Sequence, residues 1–124
     1  MISSNSSESK KKTLLVPVPQ WGDDAEIMVT EMTVAGCIRL NKLTNVVLEM
    51  QGIDDVKRQG LLMCANLLSV MVHPDTGDFL LPETDLGKFY DNVNKDSFEA
   101  LLVANGTLNP VKIQENLDTK KNSS

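Results

Sequence analysis

The sequence has few of the residues that enzymes and metal sites use. Its 124 residues include one histidine and two cysteines, Cys37 and Cys64, which have no close His or Cys neighbour along the chain. Zinc sites and redox pairs need such neighbours, and a catalytic nucleophile needs a base beside it. The glycines are too widely spaced for a phosphate-binding loop. We therefore expect no enzyme activity and no cofactor, and we predict that both thiols are buried in a protein of a reducing compartment.

Long apolar runs and excess positive charge are also missing. No run approaches the roughly 18 residues of a membrane span, and residues 1–12 are rich in serine without the apolar centre of a secretory signal. The chain has 12 Lys and Arg against 17 Asp and Glu, a net charge of -5. An acidic surface repels phosphates, so nucleic acids and anionic membranes are disfavoured as partners. Other proteins are the favoured partners.

The composition separates a central region from two polar ends. Residues 1–12 and 111–124 have too few apolar side chains to offset the entropy of ordering them. We predict that they form a disordered polar tail and a flexible polar tail. Residues 13–110 are long enough for one modest core, which predicts a single globular domain.

The apolar pattern of this domain predicts a mainly α fold with a short N-terminal β-hairpin, an α+β class. Two runs rich in Val, Ile and Thr, residues 14–18 and 26–32, are separated by prolines and a turn at Trp21-Gly22. Four helical segments are expected to follow, at residues 33–50, 55–72, 83–93 and from Asn94 or Asp96 to Gly106. The apolar face predicted for the first helix comprises Val34, Cys37, Ile38, Leu43, Val47, Leu48 and Met50.

The segment between the second and third helices is the most informative part of the chain. It contains the only histidine, in the sequence His73-Pro74-Asp75-Thr76-Gly77-Asp78, and two further acidic residues, Glu83 and Asp85. These groups could hold calcium or act in catalysis, but they lack the spacing of an EF-hand loop. Pro and Gly there supply the fixed and positive φ values of a tight reversal. We interpret the segment as a small turn or hairpin without catalytic, cofactor-binding or metal-binding residues.

Candidate partner-binding residues come from the second helix and the methionines. From Leu61 to Val72 the sequence is apolar nearly all round, which is typical of a central core helix or of a helix that also meets another chain. Methionine adapts its shape and recurs on surfaces that accept varied apolar partners. The predicted partner-binding residues are Met28, Met32, Met63, Leu67 and Val70.

The order of the motifs resembles that of the small tail assembly chaperones of long-tailed, siphovirus-like bacteriophages. Residues 18–22, Val-Pro-Gln-Trp-Gly, are followed by an extended run and by Glu31-Met32-Thr33 at a helix start. An apolar helix then leads into a turn with Asp75, Gly77, Phe79 and Leu80 in the places that the family pattern requires. A last helix ending in Leu108-Asn109 completes a resemblance that spans residues 16–109.

This resemblance implies a non-enzymatic protein of the host cell cytoplasm that is absent from the mature virion. Its partners in that case are the phage tape measure protein, which it keeps soluble while promoting tail tube assembly, and also the tail tube protein. The resemblance leaves self-association open. The alternative is a structural minor tail or connector component that is retained in the virion.

Overall fold

The computed structural model describes residues 12–110, so the two predicted tails lie outside the described residues apart from Lys12. The elements in chain order are β1 (Thr13–Pro17), β2 (Glu26–Thr30), α1 (Val34–Glu49), α2 (Asp55–Leu68), β3 (Met71–Val72), α3 (Leu86–Asn92) and α4 (Lys95–Leu108). Single-turn 3₁₀ helices precede β2 and α3, at Pro19–Trp21 and Glu83–Asp85. The prediction of a mainly α fold with four helices and an N-terminal hairpin is confirmed. Within residues 12–110 no helix has the length and apolar character to cross a membrane.

The hairpin carries a third strand that the sequence pattern did not predict. The sheet is antiparallel with strand order β1-β2-β3, and β3 pairs with Met28 and Val29 of β2. The predicted second helix therefore ends at Leu68 and does not reach Val72. Ser69 is the C-cap of α2, and its hydroxyl donates to the Ala65 carbonyl at 2.9 Å. A run that is apolar on all sides does not distinguish a buried helix from a buried strand, which is why the boundary was predicted wrongly.

Local capping chemistry accounts for the starts of α1, α2 and α4. The side-chain oxygens of Thr33, Asp54 and Asn94 each accept a hydrogen bond from a first-turn backbone N–H, at 3.0, 2.8 and 2.8 Å. A side-chain acceptor at this position satisfies one of the donors that a helix leaves unpaired. The starts predicted at Thr33 and Asn94 are confirmed.

The end of α4 differs from the prediction that Gly106 follows the helix. The helix continues to Leu108 and ends at Asn109. The Asn109 amide holds the hairpin, since its oxygen accepts from the Met32 N–H at 2.7 Å and its nitrogen donates to the Thr30 carbonyl at 3.2 Å. These tertiary bonds, and not a glycine, determine where α4 stops.

The buried face of α1 agrees with the predicted one at Leu43 and Val47 and differs from it at other positions. The structure buries Gly36, Arg39, Leu43 and Val47. The predicted face residues Val34, Ile38 and Leu48 are 79%, 53% and 56% exposed. Apolar residues lie on both sides of this helix, so their spacing alone cannot determine its rotation. The close approach of Gly36 to the Ser69 carbonyl fixes that rotation.

The core lies between the inner face of the sheet and the helices. Its fully buried side chains include Val29, Leu61, Leu67, Met71 and Leu101. Helix α4 contacts both β1 and β2, and α1 and α2 pack against each other. This arrangement leaves the opposite face of the sheet outside the core.

The two thiols have different environments, whereas both were predicted to be buried. Cys37 is exposed on α1, and Cys64 is buried in α2, where desolvation raises its pKa to about 12. The thiolate, and not the thiol, is the nucleophile that attacks a disulfide reagent. In the native protein at mildly alkaline pH we expect a disulfide reagent to modify Cys37 rapidly and Cys64 only after unfolding in urea. The Cys37→Ser variant should then show no rapid reaction, and a rapid reaction in that variant would contradict the buried position of Cys64.

Candidate functional site

The segment between β3 and α3 is a tight turn, as the sequence indicated. The His73 N–H donates to the Asp78 carbonyl at 2.8 Å, and the Gly77 N–H donates to the His73 carbonyl at 2.9 Å. Gly77 has a φ of 78°, in the left-handed region that favours glycine. Across residues 12–110, no three His, Cys, Asp or Glu side chains lie close enough together to hold a metal ion. The turn reverses the direction of the chain and places Asp78 and Phe79 at its end.

Arg39 of α1 holds this turn against the helices. Its guanidinium donates to the carbonyls of Leu68 at 3.1 Å and Leu81 at 2.6 Å. It lies 4.0 Å from the centre of the Phe79 ring, and its Nε is 3.9 Å from a carboxylate oxygen of Glu83. Burial lowers the pKa of Arg39, and the nearby Glu83 carboxylate raises it in part. Arginine stays charged at neutral pH, so this side chain ties α1 to the end of α2 and to the segment after the turn.

The strand register places an apolar row across the outer face of the sheet. Leu15 lies opposite Met28, and Met28 lies opposite Val72. Val72 in turn forms an isolated bridge with Phe79. Residues directly opposite each other in antiparallel strands point to the same face. The four side chains therefore form a continuous apolar row on the outer face of the sheet, in which Leu15 is exposed and Val72 is buried.

A half-open hollow lies beside this row, and we call it the sheet groove. It has a volume of about 410 Å³, within the range of about 300–1,000 Å³ that is typical of binding pockets. The groove is lined by Thr13, Met28, Thr30, Thr33, Ala35, Ser69, Val72, Gly77, Asp78 and Phe79. Its lining combines apolar side chains with four hydroxyl groups and one carboxylate. This lining is better suited to binding an apolar side chain of another protein than to catalysing a reaction.

The five predicted partner-binding residues do not form one surface. Met28 lines the sheet groove, Met32 is half-buried against the core, and Met63 is 41% exposed on α2. Leu67 and Val70 are 0% exposed. Both lie within the core of the folded domain, so a partner cannot reach them there. Their placement on a binding surface is corrected, whereas the contacts of the other three residues stay a prediction.

Sequence reasoning missed two surfaces. The first is the sheet groove, because Val72 and Phe79 join Met28 only through the unpredicted strand β3. The second is the outer face of α1, where Val34, Ile38, Val46 and Leu48 are exposed. The signal for the outer face was present, since α1 carries apolar residues on two sides at helical spacing and one side must face away from the core.

The fold and these surfaces define a small α+β domain with exposed apolar side chains, a combination that favours protein binding. No family model and no curated protein matches the sequence. The fold is similar to the solved structure of the bacteriophage HK97 tail assembly chaperone, with a TM-score of 0.53 and 13% sequence identity. The match covers 76% of this chain and 82% of that chain. At this identity the likeness establishes a shared fold, and it is the fold that the order of sequence motifs predicted.

Proposed function

We propose that this protein is a non-enzymatic tail assembly chaperone that binds the phage tape measure protein, keeps it soluble and promotes tail tube assembly. The observation that carries the proposal is the fold shared with the HK97 tail assembly chaperone. The motif order across residues 16–109 supports it from the sequence. The protein acts in the host cytoplasm and leaves before the virion is complete.

The surface chemistry supports this role. Residues 12–110 contain 14 acidic and 7 basic residues, which keeps the body of the protein soluble. The sheet groove and the outer face of α1 expose apolar side chains within that acidic surface. Such a protein can cover the apolar segments of a partner without itself precipitating. Both surfaces are open, which suits a contact that must later be released.

Coexpression with the tape measure protein of the same phage tests the proposal. We expect the soluble fraction of the tape measure protein to rise severalfold when the chaperone is present. The Met28→Gln variant should bind about tenfold more weakly, because it removes apolar contact from the sheet groove. Sedimentation of lysates and affinity measurements provide the readouts.

The matched control is Val103→Gln, which places the same amide side chain at an exposed apolar position of α4 outside the groove. We expect its affinity to equal that of the wild type, and circular dichroism should show both variants folded. A weaker Val103→Gln variant with a normal Met28→Gln variant would place the contact on α4. Unchanged solubility of the tape measure protein would contradict the chaperone proposal itself.

Purified virions distinguish the chaperone from its alternative. A chaperone that leaves the tail should be missing from mature particles, and mass spectrometry can measure this. Recovery at a fixed ratio to the tail proteins would instead support a structural minor tail or connector component.

A further inference from the structure

Among the described residues that line the sheet groove, the one charged side chain is acidic. Asp78 lines the groove, and Asp75 is exposed in the same turn. At the other end, the Glu31 carboxylate accepts a hydrogen bond from the Lys12 backbone N–H at 2.9 Å, which adds a negative charge beside Lys12. The groove therefore combines an apolar floor with an acidic mouth.

The basic side chain behind the groove is not available to a ligand. Arg39 is 8% exposed and donates to two backbone carbonyls. Its charge faces Phe79 and Glu83. Among the described groove-lining side chains, an incoming carboxylate would therefore meet Asp78 and no cation.

We infer, on the basis of the proposed function, that the sheet groove binds a partner segment in which a lysine or arginine lies next to a large apolar side chain. The apolar side chain contacts the half-buried Met28 and Phe79. The cation pairs with Asp78 at the mouth. The groove thus binds basic apolar segments of the partner in preference to acidic ones.

The two contacts make different contributions to binding. Burial of the apolar side chain supplies affinity in proportion to the area removed from water. The pair with Asp78 is exposed to solvent, so it contributes little affinity and mainly discriminates between sequences. Its effect should decrease with salt, because mobile ions screen exposed charges. We expect a preference of about tenfold for the basic segment at low ionic strength.

Short peptides test this specificity. Three peptides share a central Leu-Phe pair, which is flanked by lysines in the first, by glutamates in the second and by serines in the third. Fluorescence anisotropy should show the lysine peptide binding about tenfold more tightly than the glutamate peptide at about 50 mM salt, and the difference should become small at about 500 mM. The affinity of the serine peptide should lie between those of the lysine and glutamate peptides.

Nuclear magnetic resonance of methionine methyl groups locates the binding site. We expect the lysine peptide to shift the Met28 methyl signal, while the signals of Met50 and Met63 stay in place. Met50 lies at the end of α1, and Met63 is exposed on α2, so both report on surfaces outside the groove.

Charge reversal tests the role of Asp78. The Asp78→Lys variant should prefer the glutamate peptide over the lysine peptide. Asp91→Lys is the matched control, because it makes the same charge change at an exposed position of α3 and should keep the wild-type preference. Thermal unfolding should be similar for the two variants.

Three results would overturn this inference: equal affinity for the lysine and glutamate peptides, a preference that Asp78→Lys leaves unchanged, or a shift of Met63 in place of Met28. None of them would contradict the proposed function, which is measured by the solubility of the tape measure protein. Conversely, groove binding without any effect on that solubility would contradict the proposed function alone.

Discussion

Replacing Arg39 with alanine is expected to lower the free energy of unfolding by about 3 kcal/mol. The change removes the donor to the Leu68 and Leu81 carbonyls and the cation above the Phe79 ring. The two carbonyls then lack their hydrogen-bond donor, and a cavity remains where the Arg39 side chain was packed. Since a small domain is stabilised by about 5–15 kcal/mol, we expect the melting temperature to fall by about 15 °C.

Lys42→Ala is the control for loss of a basic residue on α1. Lys42 is exposed, so its removal should change stability by less than about 0.5 kcal/mol. The loss of stability in Arg39→Lys should lie between those of Arg39→Ala and Lys42→Ala. A single ammonium group cannot reproduce the forked arrangement of N–H donors in the guanidinium. Equal unfolding curves for Arg39→Ala and Lys42→Ala, measured in urea by circular dichroism, would contradict the role of Arg39 in holding the turn.

The features predicted correctly from the sequence depend on local chemistry. Thr33 and Asn94 cap helices because their side chains reach N–H groups in the next turn, whatever surrounds them. Gly77 adopts a positive φ in the turn for a similar reason. Such features involve residues a few positions apart, and residue type and spacing are enough to predict them.

The incorrect predictions concern features that tertiary contacts decide. Met71 and Val72 form a strand because β2 is beside them, and Leu67 and Val70 are buried because α2 is central. Cys37 faces outward because α1 approaches Ser69 through Gly36. In each case the sequence was apolar enough for either outcome, and the neighbouring element selected one.

The candidate site shows the same limit. Met28 could be chosen from the sequence as an adaptable apolar residue near the surface. Its neighbours Val72 and Phe79 are 44 and 51 positions further along the chain and join it through the pairing of β2 with β3. The acidic mouth depends on the same pairing, because the turn after β3 brings Asp78 to the groove. A binding surface made of opposite strands requires the register of the sheet, which residue spacing does not supply.

Gly36→Ala is expected to destabilise the protein by about 2 kcal/mol, although alanine favours helices over glycine by about 1 kcal/mol. A β-carbon at Gly36 would lie 2.5 Å from the backbone oxygen of Ser69 and 3.1 Å from the sulfur of Met32. The Met32 side chain can move, but the Ser69 carbonyl belongs to the end of α2. Helix α1 would therefore have to shift away from α2.

Gly106→Ala separates this steric effect from helix propensity. Gly106 also lies inside a helix, α4, but a β-carbon there would meet nothing within 4 Å. We expect this variant to be more stable than the wild type by about 0.5–1 kcal/mol, so the two glycine substitutions should shift the urea midpoint in opposite directions. A stabilising Gly36→Ala substitution would show that α1 and α2 are further apart than the structure places them. Contact at Gly36 turns Val34 and Ile38 toward solvent together with the hydrogen bonds of Arg39 to the Leu68 and Leu81 carbonyls, so a distant α1 would also conflict with those bonds.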